Sequence, residues 1–124
     1  MFDTTTANSK TYTGGCHCGQ VRFECTTDLA MVTNCNCSIC TKKGLHFTFL
    51  PPKSFQLRAG EDNLKEYLFN RHAIRHQLCI DCGVEVFAYG KKPDGTEMVA
   101  LNVSCIDGID LSKLAMTPID GRSM

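Results

Sequence analysis

The chain has no excess of charge of either sign, no long apolar run and no internal repeat. Lys plus Arg number 13 and Asp plus Glu number 13 among 124 residues. Such balance argues against nucleic acid or an anionic membrane as a partner, because both reward a concentrated basic face. No stretch is apolar for long enough to span a bilayer. Residues Met1 to Lys10 are polar and threonine-rich and lack the apolar segment of a secretory signal, so a cytoplasmic, reducing setting is expected. The length supports one domain and not two independent cores. Residues 1–9 read as a frayed tail, which leaves a domain over 10–124.

What the chain has in abundance is cysteine, nine in all. An odd count in a reducing compartment points to metal ligation or catalysis rather than a disulfide framework. Seven of the nine fall in three groups: Cys16-His17-Cys18, Cys35-Asn36-Cys37-Ser38-Ile39-Cys40, and Cys79-Ile80-Asp81-Cys82. Zinc takes thiolate readily and prefers four ligands in a tetrahedron, and a saturated site is structural while an unsaturated one can accept a substrate atom. The outer pairs Cys16, Cys18, Cys79 and Cys82 therefore read as a closed site. The trio Cys35, Cys37 and Cys40 reads as a second site with its fourth position free.

Alternatives stay open at this point. The runs do not follow the usual ferredoxin spacings, which favours zinc over an iron–sulfur cluster. No helix is expected after Cys82 to lower a thiol pKa, so a redox role for that pair is disfavoured. A fourth protein ligand from Cys25, Cys105, His46 or Asp81 would close the trio, and spacing alone does not choose. Cys25 and Cys105 read by default as small buried hydrophobes. His17 reads as a solvent-facing or hydrogen-bonding histidine, and His72 and His76 as surface or core-edge residues.

Elsewhere the pattern is of short strands between turns. Val21, Phe23 and Cys25 alternate with polar residues, as a half-buried strand requires. Further strands are expected over 10–14, 29–33, 46–50, 54–58, 64–69, 71–79, 84–89 and 97–103. Pro51-Pro52 ends one of them, and Asp110 is placed to cap a helical turn. A mainly β domain of short antiparallel strands, cross-linked by metal, follows from this reading. Thr41-Lys42-Lys43-Gly44 is a basic turn beside the trio and a candidate contact for an anion.

The three groups in this order resemble the glutathione-dependent formaldehyde-activating enzyme family, which includes the centromere protein V-like proteins. The matching text is Gly14-Gly15-Cys16-His17-Cys18-Gly19-Gln20-Val21-Arg22-Phe23, the trio, Cys79-Ile80-Asp81-Cys82-Gly83, the run Leu101 to Asp107, and Asp120-Gly121-Arg122. The resemblance implies a β-tent-like fold with two zinc ions. Cys16, Cys18, Cys79 and Cys82 would hold the structural ion, and Cys35, Cys37 and Cys40 the catalytic one. Ser104 departs from an arginine frequent in relatives.

The implied activity is that of a carbon–sulfur lyase joining glutathione, or another thiol, to formaldehyde or a related small aldehyde. Lys42 and Lys43 are then the first candidates for the carboxylates of glutathione, with Arg71 and Arg75 behind them. The alternative is a non-enzymatic binding module of the same fold, in which both ions are structural and an exposed β-surface binds a protein partner. A third option is zinc storage or sensing.

Overall fold

The computed structural model describes residues 9–68, 74–92 and 94–119. Arg71, His72 and the Asp120-Gly121-Arg122 ending lie outside these residues. In chain order the strands are β1 (Lys10–Gly15), β2 (Arg22–Thr27), β3 (Val32–Cys35), β4 (Phe47–Leu50), β5 (Phe55–Ala59), β6 (Leu64–Tyr67), β7 (Arg75–Cys79), β8 (Glu85–Lys91), β9 (Glu97–Asn102) and β10 (Met116–Ile119). One helix, α1 (Ser38–Lys43), follows β3. The domain is mainly β and its strands are short, as the alternating pattern predicts. One ladder departs from the antiparallel rule: β10 pairs with β3 in parallel.

The strands form a five-stranded sheet in the order β4-β9-β8-β7-β6 and a three-stranded sheet in the order β1-β2-β5. The main core lies between them. Alternation in β2 sends Phe23 and Cys25 inward, each 1 % exposed, together with Val21 just before it. Phe23 stacks on Phe55 at 5.6 Å between ring centroids, and Phe55 on Phe87 at 4.7 Å, which joins the two sheets through three rings.

The other face of the large sheet carries a smaller core. The cross-strand pair Ala88 and Ala100 is buried there with Phe47, Leu45 and Cys40. Two small side chains at the centre of a sheet let another element approach closely, and α1 with its thiols fills that space. This explains why β7 does not alternate cleanly. His76 and Gln77 are both buried, because both faces of the sheet are covered and a bulge follows Gln77.

The turn beginning at Asp110 is a 3₁₀ turn over Leu111–Lys113, with the Asp110 carboxylate accepting from the Ser112 N–H at 3.1 Å as the capping pattern predicts.

Candidate metal centres

The turn after β1 brings Cys16 and Cys18 against the turn between β7 and β8, which carries Cys79 and Cys82. All four sulfurs lie within 4.8 Å of one another. Cys18 Sγ is 3.6 Å from both Cys16 Sγ and Cys79 Sγ. Sulfurs about 2.3 Å from a common zinc in a tetrahedron stand about 3.8 Å apart, so this donor set fits that ion.

The backbone supports the thiolates as well. Val21 N–H points at Cys16 Sγ at 3.3 Å and Cys82 N–H at Cys79 Sγ at 3.5 Å. The side-chain amide of Asn63 donates to Cys79 Sγ at 3.4 Å and to Asp81 Oδ2 at 3.3 Å. Outer donors of this kind orient ligands and are part of a metal site.

Crowded thiols push one another apart in acidity. Burial raises the Cys82 thiol, but backbone N–H groups at Val84 and Cys18, with the neighbouring sulfurs, outweigh it and bring it down to about 6. At Cys18 a backbone hydrogen bond at Gln20 pulls downward, yet burial and the three neighbouring thiols carry it up to about 12. A bound cation removes that mutual repulsion and releases protons as it binds.

Gly19 and Gly83 follow the second thiol of each pair with φ of 85° and 77°, the reversal expected there. Gly15, just before Cys16, is extended. Its requirement is space, since a Cβ would lie 2.0 Å from the Val21 carbonyl oxygen.

The trio is built by β3 and α1. Cys35 ends the strand, Cys37 sits at the N-cap of the helix, and Cys40 faces inward from its middle. The three sulfurs lie within 4.8 Å of one another, and among the described residues no fourth His, Cys, Asp or Glu joins them. Cys25 is in the main core, where burial lifts its thiol to about 11. Cys105, a free thiol raised to about 12 by burial, turns to the Glu85 carbonyl oxygen at 3.7 Å. Asp81 is exposed and belongs to the closed set's surroundings. His46 lines the cavity at Cys35 and Cys40 but does not join the sulfur cluster.

At Cys37 burial is again outweighed, here by the Cys40 and Ile39 N–H groups and by neighbouring sulfurs, so its thiol is lowered. Cys40 is raised, by burial first and then by Cys37 and Cys35. Three soft donors with N–H support fit zinc too.

Cys35 and Cys40 open onto a cavity of about 580 Å³ whose walls include Asn34, Thr41, His46, Pro118 and Ile119. Lys42 and Lys43 lie elsewhere. With Ile39, Lys65, Tyr67 and Leu78 they line a second cavity, of about 320 Å³, on the other flank of α1. Lys43 Nζ is 3.1 Å from Glu85 Oε1, and Glu85 Oε2 is 2.6 Å from His76 Nδ1. His76 is thus deeply buried, not at the surface or core edge. Sequence reasoning missed Glu85; a lone carboxylate in the apolar run Val84-Glu85-Val86-Phe87-Ala88 was the available signal. Arg75 is engaged by Glu66 at 2.7 Å and lies over the Tyr89 ring.

The fold is similar to that of a Rhodobacter sphaeroides protein solved by crystallography. The TM-score is 0.73 at 25 % identity, and the match covers 85 % of this chain and 99 % of that one. The sequence model of the glutathione-dependent formaldehyde-activating enzyme matches residues 11–119. With its paired thiol clusters and this match over nearly its whole length, the chain belongs to that family.

Proposed function

We propose that the protein is a zinc-dependent carbon–sulfur lyase acting on adducts of glutathione, or another thiol, with formaldehyde or a related small aldehyde in the cytoplasm. One observation carries this reading: Cys35, Cys37 and Cys40 converge without a fourth ligand among the described residues, and two of them, Cys35 and Cys40, line a cavity large enough for a small molecule. A saturated structural ion would have no use for such an opening.

Cys16, Cys18, Cys79 and Cys82 would hold one zinc and the trio a second. Bound at the trio, zinc would supply a thiolate at neutral pH from a substrate thiol whose free pKa is near ~8.5. The chain's own residues provide the rest. Cys37 and Cys40 are fixed by the first turns of α1, and the helix is held against Ala88 and Ala100. Lys43 is committed to Glu85, so of the two candidate lysines Lys42 is the one left for a substrate carboxylate, which would have to reach around α1 to the second cavity.

The test is a titration of the cobalt-substituted protein with glutathione. The thiolate-to-metal charge-transfer bands should change as a fourth sulfur enters. Unchanged bands at saturating glutathione would favour the non-enzymatic module instead.

A further inference from the structure

We propose that His46 is a catalytic residue of this site, its Nε2–H hydrogen-bonding the oxygen of the aldehyde or hydroxymethyl group that reacts beside the trio. The inference rests on the lyase reading and adds the group that handles oxygen. His46 shares the cavity wall with Cys35 and Cys40, but it is not one of the atoms in their close cluster. It faces the same chamber as the thiols without joining their cluster.

Its two ring nitrogens are not equivalent. Among the described residues Nδ1 is closed off from solvent and has no hydrogen-bond partner, whereas Nε2 is not both buried and unpartnered. A buried N–H without an acceptor is the rarer kind of orphan, so the hydrogen is assigned to Nε2 and the lone pair to Nδ1. The backbone around the ring is fixed: Val103 N–H donates to the His46 carbonyl at 2.9 Å, and Leu45 N–H to the Cys40 carbonyl at 3.1 Å. Leu45 and Phe47 on either side are buried. The donor is therefore carried on a fixed stretch of backbone, and a donor already in place is what makes a hydrogen bond to a developing oxyanion effective.

The step balances simply. The sulfur lone pair forms the C–S bond, and the carbonyl π pair moves to oxygen while Nε2–H donates to it. That oxygen then takes a proton from water, matching the proton the thiol gave to solvent. In reverse, the hydroxyl proton leaves to water, the C–S bond breaks and the aldehyde is released.

The experiment compares wild type, His46→Leu and His46→Gln, all zinc-loaded. Exchange between glutathione and its formaldehyde adduct is followed by NMR, with zinc content and thermal unfolding recorded. His46→Leu should slow exchange about 100-fold with the KM for glutathione and both ions retained, and His46→Gln, which keeps an N–H at the end of its side chain, should recover part of the loss. Nitrogen-15 NMR should find the Nε2–H tautomer in wild type and a shift of that nitrogen on adding the adduct.

Exchange at the wild-type rate in His46→Leu overturns the inference alone. So does loss of one zinc from that variant, which would make His46 a ligand, or finding the hydrogen on Nδ1. A wild-type protein that accelerates nothing overturns the lyase reading and this inference together.

Discussion

Lys43 and Glu85 join the two halves of the site. Lys43 ends the helix that carries Cys37 and Cys40, and Glu85 begins the strand that follows Cys82. Their side chains meet at 3.1 Å, with the Glu85 side chain fully buried and that of Lys43 29 % exposed. Because Glu85 also holds His76 from the adjacent strand, one buried carboxylate fixes the trio's helix to the hairpin bearing half of the closed site.

Removing Lys43 leaves the buried Glu85 carboxylate with His76 as its remaining side-chain partner among the described residues. Lys43→Met should lower stability by on the order of 3 kcal/mol, read from the urea midpoint at fixed excess zinc. The double variant K43M/E85Q should lose less than the sum of the two single variants, since the pair acts as a unit. Additive losses would show that the contact contributes little.

The two sulfur clusters should respond differently to the same chemical change. Cys79→Ser removes a buried ligand from the closed set and should abolish cooperative unfolding along with one zinc. Cys37→Ser should lose the trio's zinc and all turnover yet keep a cooperative melt. Elemental analysis with calorimetry on both variants checks this, and an unfolded Cys37→Ser protein would argue for two structural ions.

Ala88 is fully buried beneath α1 and part of the trio's own core. Ala88→Leu should therefore cost about 1–3 kcal/mol through overpacking and weaken zinc at the trio without affecting the closed set. Chelator-release kinetics would separate the two: two slow phases in the variant, as in wild type, would contradict the packing argument.

How much of this was legible in the chain follows from distance along it. The closed set could be read from Cys16, Cys18, Cys79 and Cys82 because ligand spacing within each pair is local. Phe23 and Cys25 gave strand β2 by alternation, with Val21 just before it. The helix at Ser38–Lys43 could not be read: six residues are too few for a helical period to declare itself, and Lys42-Lys43-Gly44 looked like a turn. Gly44, at φ 65°, is the residue that ends the helix. Burial of His76 depends on Glu85 and on Lys43, which reaches it from another element, so no local pattern announced it. The β3–β10 pairing joins distant segments and was equally hidden.

Asp107 gives the acid behaviour a defined sign. Its hydrogen bond and ion pair with Arg22 hold the carboxyl below its ordinary range, with a further hydrogen bond from Thr13. A lowered folded-state pKa contributes stability above the unfolded value, near ~3.9, and loses it as pH falls through the folded one. Stability of Asp107→Asn should accordingly decline less steeply than wild type below about pH 4. Zinc loss in acid affects both proteins and drops out of the difference. Parallel curves would remove this pair from the account.

Strand β10 lies in register on β3, with Ile119 opposite Cys35, and Asn36 N–H donates to the Ile119 carbonyl at 3.0 Å. One wall of the chamber beside the thiols is thus supplied by the far end of the described chain. A synthetic peptide spanning residues 32–44 would carry every sulfur of the trio but no chamber. During translation the ribosome must deliver Pro118 and Ile119 before the chamber has its last side.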